Sequence, residues 1–92
     1  MTYIYILHDE KPLNETIILA HVNYLKQLRL ESRLVLCGPF TDHPGGMVVI
    51  EASSKEEAME IAKHDPFILG KYKSYELYTL AVADESNDFG LR

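Results

Sequence analysis

A surplus of basic residues, any tryptophan, a second cysteine and a long apolar run are all missing from this chain. Lysine and arginine together number 9 against 14 aspartates and glutamates, for a formal net charge of -5 and an isoelectric point near 5.2. The basic residues are scattered, which disfavours nucleic acid as a partner, because that binding rests on clustered cations. One cysteine, Cys37, cannot form an internal disulfide. No apolar stretch approaches the ~20 residues of a membrane span, so no membrane association is expected. Met1-Thr2 lead straight into a strand pattern with no signal peptide. These absences together point to a soluble, cytoplasmic protein.

What is present is an ordinary globular composition. Hydrophobic residues make up 47% and charged residues 25% of 92 positions, enough for one domain with one small core. A domain of this size buries only about 60–65% of its unfolded surface, so association with a second copy would add useful burial.

Thr2 to Leu7 alternates as a strand, with Ile4 and Ile6 on one face and Tyr3, Tyr5 and Leu7 on the other. His8 to Leu13 is polar, contains Pro12, and reads as a loop. From about Asn14 to Glu31 the period becomes helical, with Leu13, Ile17, Tyr24, Leu25 and Leu28 on one stripe. Arg33 to Cys37 forms a second strand, and Thr41 to Gly46 is dense in turn residues. Met47 to Ala52 is a third strand, apolar enough to be central. Ser54 with Glu57 matches a capping box and opens a second helix, which Pro66 ends. Phe67 to Lys73 reads as a loop, Ser74 to Ala83 as the last strand, and 84–92 as an acidic, polar tail beyond a domain of residues 1–83.

The order β-α-β-β-α-β is the ferredoxin-like arrangement, an α+β fold with two helices on one face of a four-stranded antiparallel sheet. The other face is left open, and strands one, three and four carry apolar residues on both faces. The expectation is a homodimer with the two open faces packed together.

Two residues suggest chemistry. Asp65 stands just past the end of the second helix, where the macrodipole disfavours a carboxylate and some partner is needed. His21 lies inside the apolar stripe of the first helix, where an ionisable ring needs a partner or a cavity. A carboxylate bonded to one imidazole nitrogen fixes the tautomer and leaves the other nitrogen to move a proton, at a reference pKa of ~6.5 for histidine. The same pattern also fits a core histidine with a turn aspartate capping Phe67 or Ile68. His64 suits the last turn of a helix, and His8 and His43 fall in or beside loops. Asp42, His43, His64 and Asp65 match no zinc spacing, so no metal is expected. Cys37 reads as a small buried hydrophobe. The six tyrosines are packing residues first, with Tyr5 and Tyr24 as candidates to line a pocket.

His21-Val22-Asn23-Tyr24-Leu25, Gly38-Pro39-Phe40, the Gly45-Gly46 hairpin and Asp65-Pro66-Phe67 occur in that order. Together they resemble the YciI-related (YCII) family of small bacterial proteins, over about residues 1–82. The resemblance implies a ferredoxin-like subunit forming a dimeric α+β barrel, with an active site at the positions of His21 and Asp65. Gly38, Pro39, Phe40 and Phe67 join Tyr5 and Tyr24 as candidate substrate-binding residues. One branch of the family looks like a dehydrochlorinase acting on chlorinated hydroxyquinols, and related barrels host muconolactone isomerases. This chain departs from the family in having Ile18 where many relatives carry Arg, which argues against anionic substrates. It also has Ala81-Val82-Ala83-Asp84 where many relatives place a proline and an aromatic residue.

The resulting expectation is a lyase, isomerase or dehydrochlorinase-type enzyme that needs no cofactor and acts on a small cyclic or aromatic molecule. The alternative is a non-catalytic dimer that binds a small metabolite or is purely structural.

Overall fold

The computed structural model describes residues 1–91. In chain order the elements are β1 (Thr2–Asp9), α1 (Glu15–Leu30), β2 (Leu34–Pro39), β3 (Gly46–Glu51), α2 (Lys55–His64), the single helical turn α3 (Pro66–Leu69) and β4 (Lys73–Leu80). A short 3-10 segment, Glu85–Gly90, follows. The four strands form one sheet in the order β2-β3-β1-β4 with every pair antiparallel, so the α+β, ferredoxin-like topology holds and β3 is central.

Alternation along β1 decides which face meets the helices. Tyr3, Tyr5 and Leu7 lie opposite Ile50, Val48 and Gly46 on β3, and opposite Thr79, Leu77 and Tyr75 on β4. This face packs on Leu28, Ala58, Ile61, Ala62 and Phe67 to make the core. Ile4, Ile6 and Met47, each partly exposed, occupy the opposite face together with the buried Val49. Leu36, Tyr78 and Leu80 stand exposed on the flanking strands. A small polar group interrupts this apolar face. His8 Nε2 and Glu76 Oε1 are 2.7 Å apart, and Tyr78 donates to the same carboxylate.

Three expectations need correction. β1 continues through His8 and Asp9, because those residues pair in register with Ser74 and Lys73 of β4. The segment after Pro66 is not an open loop: Ile68, Leu69 and Gly70 donate their N–H groups back to Asp65 and Pro66 and close a helical turn. β4 stops at Leu80, where β1 runs out of partners at Thr2. Beyond β4, the Asp84 side chain caps Ser86 while Asn87 bonds back to the Asp84 backbone.

The turn before β3 is built from glycine for a reason that can be tested. Gly45 has φ +93°, and a Cβ there would lie 2.2 Å from the Leu7 carbonyl oxygen. Gly45→Ala is therefore expected to destabilise the protein by about 1–3 kcal/mol, through backbone strain and displacement of β1. Urea denaturation measures this directly, and an unchanged midpoint would contradict the close packing described.

Candidate functional site

Asn14 caps α1 by accepting the Ile17 N–H at 2.9 Å, which sets the phase of the helix. In that phase Ile17, His21, Tyr24, Leu25 and Leu28 share the stripe that faces the sheet. His21 is thereby carried to the end of α2, where Asp65 waits.

Asp65 plays two structural parts. It ends α2, its N–H bonding to the Ala62 carbonyl at 3.1 Å, and it caps α3. Pro66 occupies the first position of α3, where its missing N–H and fixed φ cost nothing. The Asp65 carboxylate, 0% exposed, has three donors. Oδ1 accepts the Phe67 N–H at 3.0 Å and the His21 Nδ1–H at 2.7 Å, while Oδ2 accepts the Tyr5 hydroxyl at 2.8 Å. The unfavourable dipole of one helix end is offset by a cap, a phenol and an imidazole.

The arrangement also fixes the histidine. A carboxylate only accepts, so Nδ1 of His21 carries a proton, and in the neutral ring Nε2 is the nitrogen with the lone pair. The His21 side chain is 12% exposed, and Phe67 stacks flat on the ring with centroids 3.8 Å apart and planes 9° apart. Among the described residues no buried side-chain nitrogen or oxygen lacks a partner, so Nε2, which bonds to no protein atom, is reachable from outside.

Nε2 belongs to a ring that lines a cavity of about 460 Å³. Leu7 and Val48 of the sheet, Ile18, Val22 and Leu25 of α1, and the Gly38-Pro39 and Gly45-Gly46-Met47 segments make up most of its wall. His21, Cys37 and Lys73 are the lining residues with ionisable side chains. The size and apolar character suit a small, flat organic ligand.

The candidate residues fall into two groups. His21, Gly38, Pro39 and Phe67 line this cavity, and Asp65 stands behind His21. Tyr5, Tyr24 and Phe40 do not line it. Tyr5 is 0% exposed and committed to Asp65, so it is a support rather than a ligand contact. Tyr24 donates to the Ile61 carbonyl at 2.7 Å and ties α1 to α2. The Phe40 ring meets His43 edge-on. Cys37 is exposed and lines the cavity instead of packing as a buried hydrophobe. No three of Asp42, His43, His64 and Asp65 converge among the described residues. His64 Nδ1 bonds to the Glu60 carbonyl at 2.7 Å in the exposed last turn of α2.

Lys73 was not anticipated. Its strand begins one residue earlier than the pattern suggested, and parity with Tyr75 and Leu77 turns it toward the helix side. That alternation was available in the sequence.

Burial, then the Asp65 charge, drives the Tyr5 hydroxyl far above the ordinary phenol range. The same two causes, in the same order, push Tyr24 up from 10.0 to about 12. Both therefore act as neutral donors. A phenol whose pKa is higher in the folded state contributes stability that is full below pH 10.0 and lost as pH rises toward about 12. Alkaline titration is expected to show these two tyrosines ionising only as the fold opens. Phenolate absorbance from both at pH 10, with native circular dichroism, would contradict their burial.

The chain is 40% identical over 67 residues to the uncharacterised protein YjpA of Bacillus subtilis (strain 168), covering 73% of this chain and 79% of that protein. Its fold is similar to that of 5-chloro-2-hydroxyhydroquinone dehydrochlorinase (TftG) from Burkholderia phenoliruptrix AC1100, solved in complex with 2,5-dihydroxybenzoquinone. That similarity has a TM-score of 0.69 at 19% identity, over 96% of this chain and 100% of that one. Muconolactone isomerase is similar at a TM-score of 0.71 and 15% identity, over 87% of this chain and 88% of that one. At these identities the likeness is one of fold. The YCII-related domain matches residues 1–81, and the chain belongs to the YCII-related family.

Proposed function

We propose that the protein is a cofactor-independent lyase or isomerase in which His21 moves a proton on a small cyclic or aromatic substrate. The observation that carries this reading is a histidine that lines a largely apolar cavity while its Nδ1 is held by a buried carboxylate. Nε2 takes a proton from a substrate C–H or O–H. The electron pair released either shifts within the substrate, which is then reprotonated at a new position, or expels a leaving group such as halide. Asp65 stays ionised, holds the ring in one tautomer, and offsets the charge of the imidazolium that forms. Tyr5 and the Phe67 N–H position Asp65. The neighbours of similar fold include a dehydrochlorinase and an isomerase, which is consistent with such chemistry.

The working unit in this reading is a homodimer. Ile4, Ile6 and Met47 are partly exposed on the sheet face opposite the helical core, with Leu36, Tyr78 and Leu80 exposed beside them, and such apolar faces mark association surfaces. Light scattering at micromolar concentration is expected to give twice the chain mass, and a monomer would contradict it.

Incubation with lactones, cyclic enones and hydroxylated aromatics, followed over hours by liquid chromatography, tests the catalytic reading. Product formation is expected. Saturable binding of a compound with no product would instead favour the metabolite-binding module.

A further inference from the structure

We propose that the cavity is built for a ligand with a single negative charge, a carboxylate or similar oxyanion, held by Lys73. The sequence argued against anionic ligands because α1 places Ile18, not a cation, three residues before His21. The structure supplies a cation from another element.

Lys73 opens β4 and turns inward, its side chain only 13% exposed. It lines the same cavity as His21. Its Nζ lies 5.5 Å from the centroid of the Phe67 ring, and the same ring stacks on His21 at 3.8 Å. The ammonium and the imidazole therefore both neighbour one aromatic side chain at the wall of one cavity.

Lys73 is already paired with Asp9, at 2.5 Å, but that contact uses one of three N–H donors. Asp9 is 52% exposed, so solvent weakens its hold on the ammonium, and two N–H donors remain for a ligand in the cavity that Lys73 lines. The pairing also sets the charge. One incoming oxyanion shares the ammonium with Asp9, whereas a dianion would meet the Asp9 carboxylate with no second lysine or arginine among the cavity-lining residues. Apolar walls elsewhere exclude water and strengthen the contact.

This inference rests on the acid–base reading only for its consequence: an oxyanion conjugated to the reacting carbon would be stabilised by Lys73 as His21 removes a proton. The binding itself is independent of turnover, and so is its test.

Benzoate and benzamide, nearly identical in shape and different in charge, are the probes. Titrations followed by amide and imidazole NMR shifts give both affinities. Benzoate is expected to bind about tenfold more tightly than benzamide. Lys73→Met, which keeps the aliphatic stem on Phe67, is expected to remove that difference while leaving benzamide unchanged. Asp9→Asn keeps the test open should the methionine variant fold poorly, because it is expected to tighten benzoate binding. Equal affinity for the two probes, no binding of either, or indifference of benzoate to both substitutions overturns the proposal. Turnover that survives His21→Ala, alongside Lys73-dependent benzoate binding, overturns the acid–base reading and leaves this one standing.

Discussion

Replacement of Asp65 by alanine is expected to destabilise the protein by about 3–5 kcal/mol, since each buried donor left without its acceptor costs about 1–3 kcal/mol. Three groups lose their acceptor together: the Tyr5 hydroxyl, the Phe67 N–H and the His21 Nδ1–H. Tyr5 is wholly enclosed, so water cannot replace the lost carboxylate without the core opening. Loss of the cap also loosens α3, and with it the Phe67 ring that supports His21. A domain of this size loses about 4–8 °C in melting temperature per kcal/mol, so the shift should exceed roughly 10 °C. Asp65→Asn is expected to lose less, because its side-chain oxygen can still accept from Phe67 or His21. Thermal melts of the two variants would contradict this account if neither moved from the wild type.

His21→Ala is expected to separate activity from stability. The Asp65 carboxylate keeps the Phe67 N–H and the Tyr5 hydroxyl in this variant, so no buried charge is left without a donor. The fold should lose about 1–2 kcal/mol, for one hydrogen bond and one stacked pair. Turnover should fall by about 10²–10⁴, the usual contribution of a positioned acid or base. His21→Gln, which restores a polar group without a titratable nitrogen, should not recover it. Circular dichroism alongside product assays on wild type and variants provides the measurement. A His21→Ala variant with full activity would show that the ring merely joins α1 to the end of α2.

The dyad was legible because two rules of different kind pointed at it. The stripe of α1 placed His21 on the core side, and Pro66 placed Asp65 at a helix end that disfavours a carboxylate. How the carboxylate is accommodated was not legible. That depends on α3, whose four residues are too few to carry a period, and on Tyr5, whose partner lies 60 positions away. The alternation of β1 identified Tyr3, Tyr5 and Leu7 as one face, yet a strand apolar on both sides does not say which face the helices will cover. Tyr5 and Tyr24 looked like pocket tyrosines for the same reason, since a hydroxyl's partner is a tertiary fact. Lys73 escaped notice because it sits where a turn passes into a strand, and a shift of one residue in that boundary decides which way its side chain points.

Hydrogen exchange tests whether His21 moves protons for a ligand in the cavity, without knowledge of the natural product. Small lactones, cyclic enones and hydroxylated aromatics would be incubated in D₂O with wild-type protein and with His21→Ala, and C–H loss followed by NMR. At least one compound is expected to exchange faster with the wild type than with buffer, and no faster than buffer with the variant. Exchange at the same rate with both proteins, or with neither across the panel while compounds demonstrably occupy the cavity, would contradict the acid–base role of His21.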